Sequence, residues 1–199
     1  MILEVSALTQ LAQQCAPAIA PVTMLAVAKA ESGFDPWVVA VNGASPKAYH
    51  PASPAAAEAL AKTLLAKGEN LDLGLGQINS RNLEGLGLSV AGAFDPCRNL
   101  AASAQLIQSA YAGARSAATD DQSALRAALS RYNTGDDRRG LRNGYVARVT
   151  RAAETLVPAL TTGSFLTTGP AEPQRHPSPP APRSPAWDVF ATVSATLVF

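Results

Sequence analysis

Between Pro21 and Gly33 the sequence writes a short apolar helix that ends on an acid, Thr23-Met24-Leu25-Ala26-Val27-Ala28-Lys29-Ala30-Glu31-Ser32-Gly33-Phe34. Met24, Val27, Ala28 and Glu31 share one face by three-and-four spacing, so the carboxylate falls on the stripe expected to turn inward. Pro21 suits a first helical position and Gly33 a terminus, which puts Glu31 in the last turn, at the negative end of the helix dipole. Burial and that dipole both disfavour the ionised form, and together they predict a pKa of roughly 5 to 7, the range of a general acid. The alternative is a solvated acid at a fraying helix end.

The rest of the chain is consistent with mainly helical packing. Its 199 residues are 47% hydrophobic, with abundant alanine and few β-branched runs, enough for one globular domain with some residues left over. A formal charge of +1 leaves no basic stripe, so nucleic-acid binding has no support. His50 and His176 lie far apart without Cys or acidic partners at ligand spacing, and no metal or other cofactor is expected. No phosphate-binding glycine loop, dinucleotide fingerprint or serine nucleophile elbow occurs.

Cys15 and Cys97 each sit on an apolar helix stripe, Leu8-Leu11-Ala12-Cys15 and Cys97-Leu100-Ala104-Ile107-Tyr111. Two buried thiols and one disulfide both satisfy that pattern; the second requires an oxidising compartment. Met1 to Glu4 carries an acid where a signal peptide carries bases, and Gln10, Gln13 and Gln14 interrupt the apolar run. No secretory leader is visible, which leaves export by a segment outside this sequence, by another route, or not at all.

Helices are predicted over residues 3–16, 22–32, 54–67 and 97–112, then from Asp120-Asp121 to Asn133, and from Asn143-Gly144 to Pro158. A short strand is expected at Val38 to Val41, with Asn42-Gly43 as its turn. The run from Leu71 to Ser80 is glycine-rich yet partly apolar, as if backbone must come close to something. Beyond Ala159 seven prolines from Pro170 to Pro185 mark a disordered or polyproline-like tail. Its end, Trp187 to Phe199, is apolar but too short to span a bilayer; an unstructured terminus and a docking peptide both fit it.

Four short motifs stand in order: Glu-Ser-Gly-Phe at 31–34, Gly-Leu-Gly-Gln-Ile-Asn at 74–79, Tyr-Asn-Thr-Gly at 132–135 and Tyr-Val-Ala-Arg-Val at 145–149. Together they resemble the soluble lytic transglycosylases. The similarity is greatest to the branch associated with type IV secretion and conjugation, through Val41-Asn42-Gly43, the run from Asp72 to Asn79, and Asp95-Pro96-Cys97. The resemblance covers about residues 5–157. It implies a lysozyme-like helical domain, 1–158, with at most a short β element, followed by the Pro-rich tail, 159–199.

By that resemblance Glu31 is the single catalytic acid, and Ser32, Gln77, Asn79, Tyr132, Asn133 and Tyr145 bind the sugar strand or lie near the acid. The implied activity is cleavage of the bond between N-acetylmuramic acid and N-acetylglucosamine in peptidoglycan, with a 1,6-anhydro product, opening the wall for a secretion or conjugation apparatus. A hydrolytic muramidase and a non-catalytic wall-binding assembly protein are the alternatives. The implied location is the periplasm, which favours a Cys15–Cys97 disulfide. The tail is then a candidate contact for secretion components. Two residues depart from the family pattern. Gly76 replaces a methionine that packs on a sugar, suggesting a roomier groove wall, and Arg131 replaces a small residue. Asp35 and Asp72 are the nearby carboxylates, the first read as a turn residue and the second as a loop residue.

Overall fold

The computed structural model describes the backbone of residues 1–162 and the side chains through Pro158. The Pro-rich segment and Trp187 to Phe199 lie outside the described residues. Helices α1 (Val5–Cys15) and α2 (Pro21–Ser32) come first, then strands β1 (Val39–Asn42) and β2 (Lys47–Tyr49). Helix α3 (Pro54–Ala66) leads to β3 (Asn70–Leu73) and β4 (Ile78–Asn79), and α4 (Pro96–Arg115), α5 (Asp121–Thr134), α6 (Arg139–Arg142) and α7 (Tyr145–Thr162) complete the fold.

Helix starts follow their side chains. Ser53 accepts from the Ala56 N–H ahead of α3, Asp95 from Arg98 ahead of α4, and Asp120 forms a reciprocal capping box with Ser123 ahead of α5. Helix α2 differs from its expected one-faced stripe, because every residue from Val22 to Ala28 is buried. It is a central helix, walled on all sides by apolar neighbours. Gly33 ends it in the left-handed conformation. Helix α7 does not close at Pro158 but runs on to Thr162. Proline removes one N–H from the ladder, while the residues after it keep theirs.

The β element is an antiparallel sheet in the order β2-β1-β3-β4, with Val39 opposite Leu73, Ala40 opposite Asp72, and Asp72 opposite Asn79. Strands β3 and β4 fall in the stretch noted for its glycines. Asn70-Leu71-Asp72-Leu73 alternates strictly, with Leu71 and Leu73 buried and Asn70 and Asp72 half-buried.

Two cores result. The larger joins α1, α2, α4, α5 and α7 through residues such as Leu8, Met24, Leu25, Ile107, Leu129 and Val149. The smaller joins the sheet to α3 and the turn before α4 through Val39, Ala57, Leu71, Leu73, Ile78 and Phe94. Helix α4 belongs to both: Leu100, Ala104 and Ile107 enter the first, and Ala102 enters the second. A disulfide between Cys15 and Cys97 (Cα–Cα 5.4 Å) fastens the end of α1 to the start of this shared helix.

Candidate active site

Between the two cores lies a groove of about 470 Å³. The helical side contributes Glu31 from α2, Leu106 from α4, and Arg131, Tyr132, Asn133 and Gly135 from the end of α5. The sheet side contributes Asn42, Asn70, Asp72, Gln77, Ile78 and Asn79, with Arg81 and Asn82 beyond. Sequence positions about a hundred residues apart thus face each other across one cleft.

Glu31 has its carboxyl pushed up from 4.5 to about 7. Burial is the largest cause, opposed by the Tyr145 hydroxyl as a donor, reinforced by the negative charge of Asp72, and opposed again by Arg148. Tyr145 at the start of α7 is buried, and its hydroxyl makes no hydrogen bond of ordinary length among the described residues. It stands near enough to Glu31 for each group to shift the other's pKa. Arg148, one turn on, lies over the Tyr145 ring at 5.6 Å.

The turn from Gly74 to Gln77 is shaped by close approach. A Cβ on Gly74 would collide with the Ala93 carbonyl, and one on Gly76 with the Ser103 hydroxyl and, at 2.8 Å, with the Tyr132 hydroxyl. Beneath the turn, Asn99 is buried and receives the Gly76 N–H at 2.7 Å. Its amide donates to the carbonyls of Leu73 (3.0 Å) and Ala93 (2.7 Å). Tyr132 donates to the Gly76 carbonyl at 2.6 Å, so its proton holds the turn rather than reaching the acid. The expectation of a roomier groove at Gly76 is therefore corrected: a side chain there would point into this polar network, not across the groove.

The same turn sets Gln77 in a left-handed conformation (φ 49°) that a non-glycine residue adopts only when its surroundings impose it. Its amide donates to the Gly74 carbonyl at 2.8 Å, while its side chain borders the groove. Asn79 also borders the groove, but its amide is committed to Asp72 at 2.7 Å and its oxygen to the Arg81 N–H at 3.1 Å. Asn133 is exposed at the far rim and accepts from the Asn143 amide at 3.1 Å. Ser32 does not line the groove; its hydroxyl donates back to the Ala28 carbonyl. Arg131 is held by a two-pronged pair with Asp137 at 2.6 and 2.9 Å.

Sequence reasoning missed the supports. Asn99 and Ser103 carried no motif, and Asn42 and Arg148 were quoted in motifs but given no role in the site. Asp72 is a strand residue in the groove, not a loop residue, and accepts from Asn42 at 2.9 Å as well as from Asn79. Asp35 is buried in the turn after α2, where it accepts from the Trp37 N–H (3.1 Å) and bonds His50 Nδ1 (2.9 Å), outside the groove. Among the described residues no group of three or more His, Cys, Asp or Glu stands where a metal could be held, and no helix is long and apolar enough to cross a membrane.

A half-buried acid at the end of a central helix, facing a small sheet across a polar groove, fits a lysozyme-like fold. A family model described as Transglycosylase SLT domain matches residues 9–151, and the chain belongs to that family. Among curated relatives, the chain is similar to Protein virB1 of Agrobacterium fabrum (strain C58), 46% identical over 150 residues, which cover 75% of this chain and 60% of that protein. Protein virB1 of Rhizobium radiobacter is 39% identical over 181 residues, covering 91% of this chain and 71% of the relative. Type IV secretion system protein virB1 of Brucella suis biovar 1 is 35% identical over 182 residues, covering 88% and 76%. The chain thus spans about 60% of the length of the first of these relatives. No solved structure matches it.

Proposed function

We propose that this chain is a peptidoglycan lytic transglycosylase acting in the periplasm, where it opens the wall locally for a type IV secretion or conjugation apparatus. The observation that carries the reading is the Glu31 carboxyl, raised by burial to about 7 at the side of a polar groove, so that it holds a proton near neutrality. Family membership supports the reaction type, and the type IV secretion name of the Brucella suis relative supports the setting.

In this mechanism Glu31 protonates the oxygen bridging N-acetylmuramic acid to N-acetylglucosamine, while the 2-acetamido group of the muramic sugar supports the charge at the anomeric carbon. The ionised Glu31 then takes the proton of the C6 hydroxyl as that oxygen closes the 1,6-anhydro ring. The raised pKa suits both steps, since the group must give up a proton and take one back at the same pH. The Tyr145 hydroxyl, unsatisfied before substrate binds, is placed to donate to Glu31 once it ionises; such bonds are often long in unliganded sites. Gln77, Asn79 and Asn133 border the strand's path with amides suited to N-acetyl and hydroxyl groups.

Asp72 favours a second reading, a hydrolytic muramidase, because water-consuming glycosidases use paired carboxylates. Mass spectrometry of muropeptides from purified peptidoglycan separates the two, with 1,6-anhydro ends expected here and products heavier by one water for the alternative. Glu31→Gln is expected to abolish release of either product without unfolding the chain, and release at the wild-type rate would refute the assignment.

A further inference from the structure

The formal charge of +1 is unevenly spread along the chain. From Arg126 to Arg151 there are seven arginines against two acids, Asp136 and Asp137, and no lysine, glutamate or histidine. Both acids are already engaged. Asp137 pairs with Arg131, and Asp136 accepts the N–H groups of Arg138 at 2.9 Å and Arg139 at 2.7 Å. The other six arginines, Arg126, Arg138, Arg139, Arg142, Arg148 and Arg151, form no ion pair among the described residues, and all but Arg126 are exposed. Arg126 and Arg151 line a depression beside Leu141 whose one acid, Glu154, pairs with neither.

This strip of positive charge begins where the groove ends. Asn133 on the far rim accepts from the Asn143 amide at 3.1 Å, Asn143 directly follows Arg142, and Arg148 Nη1 donates to the Asn143 carbonyl at 3.5 Å. Helix α6, which carries Arg139 and Arg142, is fixed to α5 by Ser130, whose hydroxyl donates to the Asp136 carbonyl at 2.6 Å and accepts the Gly140 N–H at 2.8 Å. The approach is so close that a Cβ on Gly140 would lie 2.6 Å from the Ser130 Cα. Guanidinium groups on a rigid frame are prepared for carboxylates, whose two oxygens match their paired N–H donors. In peptidoglycan the sugars that bear peptides are uncharged, and the carboxylates stand on those short stem peptides. A strand leaving the groove past Asn133 therefore brings its anionic groups to these arginines.

We propose that the arginine strip of α6 and α7 is a docking surface for the stem-peptide carboxylates of the wall beside the groove. The inference rests on the peptidoglycan reading and extends it beyond the groove. The strip binds and orients the substrate; it forms no bond and moves no proton. Arginines around the exposed Leu141 would also suit an anionic lipid surface, but lipid gives no account of the junction with the groove rim.

The test measures binding of the full chain carrying Glu31→Gln to purified sacculi, so that the wall is not consumed. Adding Arg139→Gln, Arg142→Gln and Arg151→Gln together weakens binding about 3- to 100-fold, as expected for three exposed charge pairs, and lysine at the same positions restores most of it. On glycan strands stripped of their peptides by an amidase, the variant with and without the three glutamines binds alike. With Glu31 intact, the three substitutions raise KM on whole peptidoglycan, leave kcat unchanged, and leave the rate on stripped strands unchanged. Should the triple variant fail to fold, Arg151→Gln alone carries the same expectations at smaller size. Unchanged affinity for sacculi in a folded variant, an equal loss on stripped strands, or arginine-dependent binding to phosphatidylglycerol vesicles in place of sacculi overturns the inference, and 1,6-anhydro products from the unaltered chain then leave the underlying reading standing. If the unaltered chain neither binds nor cleaves peptidoglycan, that reading fails and the inference falls with it.

Discussion

The two walls of the groove treat a carboxyl group in opposite ways. On the helical wall Glu31 ends a helix buried on every side, and its pKa rises to about 7 because little around it solvates a charge. On the sheet wall Asp72 receives an amide on each oxygen, the company that a charged carboxylate keeps. One fold thereby raises one carboxyl by burial and gives the other two amide donors, although the side chains are chemically similar. The difference comes from secondary structure. A helix end surrounded by apolar neighbours starves a side chain of partners, whereas adjacent strands bring polar side chains into register on one face.

The contrast yields a ranked set of effects. Glu31→Gln removes the proton donor and keeps the shape, so turnover should fall about 100- to 10,000-fold in a turbidity or product-release assay, with far-ultraviolet circular dichroism unchanged. Asp72→Asn follows: it removes a charge that helps raise Glu31, so the high-pH limb of activity should move to lower pH in a pH series on purified peptidoglycan. If the two variants fall equally and neither moves the pH profile, the walls are not doing different work.

Stability should respond elsewhere. Replacing both Cys15 and Cys97 by serine removes the bridge from α1 to α4, closing a separation of 82 residues, and should cost about 2–4 kcal/mol by denaturant titration while the pH profile keeps its shape. Asn99→Ala should cost about 1–3 kcal/mol by the same measure, because the Gly76 N–H and the Leu73 and Ala93 carbonyls each lose a partner. It should also raise KM by loosening the turn that carries Gln77. A drop in stability with KM unmoved would detach that turn from substrate binding.

How far the site could be read without coordinates follows the same division. Glu31 was legible because an apolar helical repeat ending in Glu-Ser-Gly leaves an acid facing inward. Gln77 and Asn79 were legible because glycines around amides mark close backbone approach, although Asn79 serves Asp72 more than the open groove. Asp72 was obscured: its strand alternates for four residues beside a glycine cluster, and its partner Asn42 is brought to it only by the β1–β3 register. Asn99 and Ser103 sit one position off the apolar stripe of α4, where nothing local distinguishes a buried amide from a solvated one. The reach of α7 past Pro158 was hidden for a simpler reason, since a proline near a helix end looks like a stop.

The central claim is that Glu31 keeps its proton to near neutrality. It is tested most directly by carbon NMR titration of the Glu31 carboxyl in the otherwise unaltered chain, assigned by its disappearance in Glu31→Gln. The account predicts a midpoint at about 7, with activity present below it and lost as pH rises through it. A midpoint near 4.5, the ordinary glutamate value, would contradict it.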